Sequence, residues 1–166
     1  MTYTQGQTVI YPHHGACVVE RVELKELLGE ERSYLVLRAL AGGLTVSVPE
    51  ATAEDLGVRL PISGDELDDL AELLRRTDVR VPTNWSRRLK NHQEKLKSGD
   101  VYQVAEVVRN LTVFGRGKDL SIAEREMLAH AKANLVNELA ASFDNSTDAA
   151  STYLEDVLEP DTALAS

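Results

Sequence analysis

The chain has 166 residues, 43% of them hydrophobic, and its 18 basic and 27 acidic side chains give a formal charge of −9. This composition excludes global disorder and argues against a protein that coats nucleic acid over its whole surface. Apolar runs fall short of the ~18 residues of a membrane span, the N-terminal segment lacks signal-peptide character, and the single cysteine excludes an internal disulfide. We therefore expect a soluble, cytoplasmic protein of one domain or two small ones.

The first sixty residues are predicted to form short β-strands. Four runs rich in β-branched residues, at residues 8–11, 16–24, 33–39 and 44–48, are separated by glycines at turn positions. Short strands with tight connections predict a small barrel or curled sheet. An edge strand of such a sheet is a surface on which the sheet of another protein can pair.

From about residue 50 the hydrophobic period becomes helical. Ser63 with Glu66 matches a capping box before a first helix, and a second helix is expected at residues 84–97. Asp100 is expected to cap a third helix, which the glycines of residues 115–117 should break. A second capping box, Ser121 with Glu124, should open a helix to about residue 142, and a last helix follows residues 145–148.

The predicted fold class is therefore α+β, with a small β-barrel followed by a compact all-helical domain. We expect a β domain at residues 1–55, a helical domain at 62–159 and a frayed tail at 160–166.

No enzymatic signature is visible. His13, His14 and Cys17 lie close in sequence, but adjacent residues of a strand point to opposite faces, and even a catalytic zinc needs three protein ligands. The glycine loop of phosphate-binding enzymes and the serine-hydrolase and zinc-protease motifs are missing from the sequence. We expect neither a metal nor a cofactor, and no enzyme activity.

The charge is distributed unevenly along the chain. Residues 82–118, which we call the basic island, contain 8 basic and 3 acidic residues and carry +5, whereas residues 119–166 carry −8. The island opens with the only tryptophan, Trp85, followed by Arg87, Arg88 and Lys90.

Two interpretations of this segment remain open. Trp85 shares a helical side with Leu89 and Leu96, which is typical of a core residue in a bundle whose cations are only a solvated face. Its place in the first turn, just after Pro82, favours instead a side chain that projects beyond the bundle. Minor-groove architectural proteins combine such an apolar wedge with a basic grip on the backbone.

Several segments resemble the CarD family of bacterial transcription regulators, in particular its actinobacterial members. They are residues 6–15 (GQTVIYPHHG), 34–37 (YLVL), 44–49 (LTVSVP), 82–88 (PTNWSRR) and 98–100 (SGD). The first segment also resembles the polymerase-binding module of transcription-repair coupling factors, but the tryptophan segment at this distance behind it separates the two.

The resemblance implies a Tudor-like N-terminal barrel that docks on the β subunit of RNA polymerase through its strand edge. It also implies a helical domain that reaches promoter DNA at the upstream edge of the transcription bubble. Carried over to this chain, Trp85 is the minor-groove wedge that hinders bubble collapse, and Arg87, Arg88 and Lys90 hold phosphates.

The resemblance also places the polymerase contact at two positions of the β domain. Lys25 keeps the basic charge expected there, although not the bidentate geometry of arginine. Ser47 stands where the family pattern has an arginine, which weakens the expected contact, although the strand around it can still pair through its backbone.

Our hypothesis is a monomeric, non-enzymatic initiation factor that binds RNA polymerase and stabilises the open promoter complex. We expect it to contact promoter DNA largely without sequence preference and not to bind a membrane. The alternative is a protein-interaction adaptor whose helical domain binds another protein. Exposure of Trp85 discriminates between them, since a buried tryptophan favours the adaptor and an exposed one favours DNA.

Overall fold

A computed structural model describes residues 2–12 and 14–159 of the chain. His13 and the predicted tail at 160–166 lie outside the described residues. The described residues divide into two compact units. One contains the residues up to Pro61 together with Asn137–Ser146, and the other contains Ile62–Val136 together with the segment from Thr147.

The N-terminal unit is built on a four-stranded antiparallel sheet in the order β1-β2-β3-β4. The strands are β1 Thr8–Tyr11, β2 Gly15–Leu27, β3 Glu30–Ala39 and β4 Thr45–Pro49. All four predicted strands are present, but the hairpin of β2 and β3 extends three residues further at its tip than expected. Leu28 and Gly29 make this extension possible because both adopt positive φ, as a two-residue hairpin turn requires.

A register shift between Val19 and Arg21 marks a bulge in β2. Bulges bend a strand and increase its twist, so the sheet can curl around its own core. That core is formed by apolar residues of all four strands and of the segments before and after them. Its buried members are Tyr3, Val9, Cys17, Val19, Leu35, Leu37, Ala39, Val48, Ala53 and Val58.

The rest of the described chain is helical. A 3₁₀ turn, Glu50–Thr52, follows the sheet, and the helices are α1 Asp65–Arg75, α2 Trp85–Lys97, α3 Val101–Gly117, α4 Ile122–Ala140 and α5 Thr147–Leu158. In α3 seven residues are buried, and the helix packs against α1 and α2. Within the described residues, no helix is long and apolar enough to cross a membrane.

Side chains cap the starts of α2 and α3, and the sequence predicts the cap of α3 at Asp100. The backbone N–H of Arg87 donates to Asn84 Oδ1 at 3.0 Å, and that of Tyr102 donates to Asp100 Oδ1 at 2.8 Å. Each bond satisfies a helix N–H that has no partner inside its own helix.

One local prediction is wrong. Gly64, not Ser63, is the N-cap of α1, and no side chain caps that helix. The glycine segment at residues 115–117 does end α3, but the helix continues through Gly115 and ends at Gly117. A Cβ at Gly115 would lie 3.3 Å from the Leu120 side chain, so glycine here gives Leu120 room to pack and the hydrogen-bonded turn continues through it.

Candidate nucleic-acid interface

Trp85 is the first residue of α2 and is 46% exposed. The cap at Asn84 fixes the start of the helix one residue earlier, so the indole leaves the helix at its first turn. A tryptophan with nearly half of its surface in solvent is unusual, because this side chain is highly buried on average. Exposure of Trp85 was the criterion that separates DNA binding from protein binding, and the observed exposure favours DNA binding.

The indole is nevertheless held by a specific contact. Trp85 Nε1 donates a hydrogen bond to Ser121 Oγ at 3.1 Å. Ser121 stands immediately before α4 and forms the predicted capping box with Glu124: the Glu124 N–H donates to Ser121 Oγ, and the Ser121 hydroxyl donates to Glu124 Oε1. The first turns of α2 and α4 are thus joined through one hydroxyl.

A buried ion pair lies directly beneath this contact. Arg88 Nε donates to Glu124 Oε2 at 2.8 Å and Arg88 Nη2 donates to Glu124 Oε1 at 3.3 Å, a two-pronged arrangement. Arg88 is only 6% exposed and Glu124 only 1%. The hydrogen bond from Arg88 is the main reason that the pKa of Glu124 is lowered, with further lowering by Ser121.

The rest of the Arg88 guanidinium is engaged as well. Arg88 Nη1 donates to the carbonyl oxygens of Pro82 and Thr83, at 3.2 and 3.3 Å. The guanidinium carbon lies 4.3 Å from the centroid of the Phe114 ring on α3. Arg88 therefore ties the segment before α2 to two other helices.

The expectation that Arg88 holds a phosphate requires correction. In this structure its guanidinium is buried and points into the helical unit, where a carboxylate already occupies the place that a phosphate oxygen would take.

The other cations of α2 are arranged differently. Arg87 and Lys90 are both exposed and lie on the outer side of the helix, within two turns of Trp85. Lys97 is exposed too but lies at the far end of α2, and Lys95 forms an ion pair with Glu106 at 2.7 Å. Within α2, the exposed cations nearest to Trp85 along the helix are therefore Arg87 and Lys90.

Ile122 is an apolar residue that the sequence analysis missed. It follows Ser121 directly and is 69% exposed. Because neighbouring Cα atoms are about 3.8 Å apart, Ile122 starts beside the hydroxyl that holds the indole. The sequence signal that could have identified it is its place directly after the predicted cap Ser121, a helix start like that of Trp85.

His92 is buried on the inner side of α2. Its Nε2 lies 3.5 Å from Asn110 Nδ2. Burial first, and Lys95 second, lower the pKa of His92 to about 4, so the imidazole is neutral at pH 7. His92 therefore contributes packing and no charge to the interface.

In the β unit, Lys25 and Ser47 share the outer face of the sheet. Lys25 pairs in register with Arg32 and Ser47 with Val36, and residues four apart on one strand point to the same face. Along the strand direction the two positions are about 13 Å apart. Ser47 is exposed on β4, which lies at one edge of the sheet.

Acidic residues surround this outer face. Lys25 Nζ lies 3.8 Å from Glu23 Oε2 and 5.2 Å from the centre of the Tyr34 ring. Arg21, in register with Val36 and hence on the same face, also donates to Glu23. This hydrogen bond from Arg21 is the main reason that the pKa of Glu23 is lowered. Arg21 is a second exposed cation here that the sequence analysis did not single out.

The cysteine and the described histidine of the N-terminal motif have structural surroundings. Cys17 is buried in the sheet core, and burial raises the pKa of its thiol to about 11, so it is not a thiolate at neutral pH. His14 stacks on Tyr11 with ring centroids 5.0 Å apart. Among residues 2–12 and 14–159, no three histidine, cysteine or carboxylate side chains are grouped to hold a metal ion.

Comparison with known proteins identifies both parts of the chain. Residues 69–155 match the family model of the CarD C-terminal domain, and residues 3–59 match that of the CarD-like/TRCF RID domain. The chain belongs to the CarD family. The resemblance read from the sequence motifs is thereby confirmed, and so is the α+β fold with a Tudor-like β unit followed by helices.

Two CarD-related proteins illustrate the relationship. The chain is 31% identical over 134 residues to "Putative transcription factor YdeB" of Bacillus subtilis (strain 168), covering 81% of this chain and 88% of that protein. It is 32% identical to the 72-residue N-terminal domain of Myxococcus xanthus CarD, solved by solution NMR, with a TM-score of 0.31 and coverage of 36% of this chain and 79% of that one.

Membership of the CarD family makes this chain a transcription regulator of a family associated with RNA polymerase. The site described above is accordingly a candidate binding surface.

Proposed function

We propose that this CarD-family protein stabilises the open promoter complex by placing Trp85 in the minor groove at the upstream edge of the transcription bubble, while its β unit holds the β subunit of RNA polymerase. The observation that carries the proposal is the 46% exposure of Trp85 at the first turn of α2. An exposed flat aromatic can partly unstack a base step and so oppose re-annealing.

The surroundings of Trp85 support contact with DNA in preference to a protein. Arg87 and Lys90 add two exposed cations within two turns of the indole, which suits two phosphates of a backbone beside the groove. Ile122 adds an exposed apolar side chain directly after Ser121, which accepts the hydrogen bond of the indole. A short apolar wedge with cations beside it is the composition that minor-groove binders use.

The β unit supports the polymerase contact through its edge and outer face. Within the described residues no further strand pairs with the outer side of β4, which suits pairing with a strand of the β subunit, and Lys25 lies on the same face as Ser47. Lys25 is the main charged contact in this proposal, because Ser47 contributes no charge. Arg21 stands in the same cross-strand row as Ser47 and supplies a nearby positive charge.

The test is the lifetime of the open complex with wild-type protein and with Trp85→Ala. A buried tryptophan costs about 3–5 kcal/mol when it is truncated to alanine, and about half of that is expected for a side chain with half of its surface in solvent. Thermal unfolding measured alongside separates the two roles. We expect a shorter bubble lifetime with a cooperative transition retained.

The matched control is Leu89→Ala, which removes a half-buried apolar residue one turn further along α2. It should lower stability without shortening the bubble lifetime under conditions in which it stays folded. An equal loss of lifetime in both variants would mean that stability alone governs the effect. An unchanged lifetime in Trp85→Ala, with polymerase still bound, would leave the protein-interaction adaptor as the better account.

A further inference from the structure

We infer that Ser121, backed by the buried Arg88–Glu124 pair, is a positioning residue that holds the Trp85 indole in one orientation for the duplex. This inference rests on the proposed function of Trp85 as a wedge. It assigns a role to a residue of another helix, 36 positions away in sequence, that needs no contact with DNA.

The hydroxyl of Ser121 is used to its full capacity. It donates to Glu124 Oε1 at 3.1 Å and accepts from the Glu124 backbone N–H at 3.2 Å and from Trp85 Nε1 at 3.1 Å. A serine hydroxyl has one donor and two acceptor positions, so all three are occupied. The lone pair of Ser121 Oγ that accepts from Trp85 Nε1 therefore points in a fixed direction.

The carboxylate of Glu124 sets that direction. Two nitrogens of Arg88 hold it in place and lower its pKa, which favours the ionised form that accepts the hydrogen bond from the Ser121 hydroxyl. Arg88 also bonds to Pro82 and Thr83, just before Trp85. The indole and the backbone that leads to it are thus tied to the same buried pair.

Such a support matters because the indole is half exposed. A side chain with free surface loses rotational freedom when it binds, and a contact that fixes it beforehand reduces this loss. The hydrogen bond to Ser121 leaves the ring face open while restricting rotation about the side-chain bonds. The wedge is therefore preorganised, as binding sites on rigid elements generally are.

Intrinsic fluorescence tests the holding of the indole directly, because Trp85 is the only tryptophan of the chain. In Ser121→Ala we expect a larger fast component in the anisotropy decay and stronger quenching by acrylamide than in wild type. Ser121→Thr keeps a hydroxyl that is also acceptable as a helix cap, and it should restore both signals. Fluorescence that does not change in Ser121→Ala overturns the inference.

The functional half is measured on the full-length protein in a polymerase–promoter complex. Loss of one hydrogen bond should shorten the open-complex lifetime up to roughly fivefold, the factor that corresponds to about 1 kcal/mol at 25 °C. Ser121→Thr should recover the lifetime. The loss should not exceed that of Trp85→Ala, because the support acts only through the indole.

Asp100→Ala is the matched control for the loss of a helix cap. Asp100 caps α3 as Ser121 caps α4, but it lies beyond the other end of α2, roughly 20 Å from Trp85. If Asp100→Ala shortens the lifetime as much as Ser121→Ala, general stability explains the effect and the inference is overturned. If Trp85→Ala itself has no effect, the proposed function fails, and the fluorescence result alone decides whether Ser121 holds the indole.

Discussion

Replacing Arg88 with methionine tests whether this residue stabilises the fold or contacts a phosphate. The substitution keeps much of the side-chain length but leaves Glu124, which is 1% exposed, as a buried charge without its partner. Removal of one member of a buried ion pair typically costs about 3–5 kcal/mol. For a chain of this size that corresponds to a fall in the melting temperature of roughly 6–20 °C.

A double-mutant cycle attributes this loss to the pair. Glu124→Gln removes the charge but keeps an amide oxygen that a capping box accepts. Once Arg88 is methionine, the added Glu124→Gln substitution should recover part of the stability, because it removes the uncompensated charge. We expect a coupling energy of about 2–3 kcal/mol, at the upper end for residues in direct contact.

The assay is urea unfolding, with DNA engagement measured in parallel across a salt series under conditions in which each variant is folded. A structural Arg88 predicts a lower midpoint at constant m value and a salt slope like that of wild type. Stability within about 1 kcal/mol of wild type, together with a slope reduced by about one unit, would refute the structural role and restore a phosphate contact.

Arg88→Lys provides a second, independent test. A lysine can still attract a phosphate as a point charge, but it cannot reproduce the two-pronged contact to Glu124 or the stacking on Phe114. A structural role therefore predicts destabilisation by this conservative change. A phosphate contact predicts a variant close to wild type in both measurements.

Three further predictions follow from exposed and buried charges. Neutralising Arg87 and Lys90 together should reduce the salt slope of promoter engagement by roughly two units, about one per phosphate. Charge reversal in Lys25→Glu should weaken polymerase binding at low salt and leave the stability of the helical unit unchanged. Because the pKa of His92 is lowered to about 4, the unfolded chain binds a proton at this residue more readily than the folded chain does. The fold should therefore lose up to about 3 kcal/mol of stability as pH falls from about 6.5 toward 4.

Each of these predictions has a matched control. Lys97→Gln removes a charge on the same side of α2 as Lys90 but about 10 Å further along, and equal effects would indicate a diffuse field. Ser47→Arg should tighten polymerase binding, and no gain would show that the partner surface differs. His92→Gln should flatten the pH dependence of stability. If the stability of His92→Gln falls with pH as steeply as that of wild type, a group other than His92 is responsible.

The strands and most helix starts were predictable because short-range chemistry determines them. Alternating β-branched residues and turn glycines located four strands, the capping side chains of Asp100 and Ser121 lie where the sequence predicts them, and α2 starts beside Asn84 as expected. The start of α1 was not predictable in this way. Gly64 adopts a positive φ there, which leaves the Ser63 side chain without the capping role that its spacing to Glu66 suggests.

The partner of each cation was less predictable than its position. Sequence spacing placed Arg88 beside Arg87, and the two look equivalent in a basic island. The carboxylate that buries Arg88 comes from Glu124 on another helix, and its capping box gave no hint of a second role. Only tertiary packing distinguishes the arginine that supports the site from the one that remains free for a partner.

The correction at Arg88 also changes the argument about DNA affinity. If Arg87 and Lys90, the exposed cations of α2 within two turns of Trp85, are the phosphate contacts, the expected log–log salt slope is roughly −2. A protein with a formal charge of −9 and so few contacts gains little from free duplex DNA. Under the proposed function, engagement of the promoter then depends on an attachment that raises the local concentration of DNA, to about the millimolar range for a short connection. The RID-type β unit is the part of the chain suited to that attachment. Fewer charged contacts in the helical unit thus strengthen the case for recruitment through RNA polymerase.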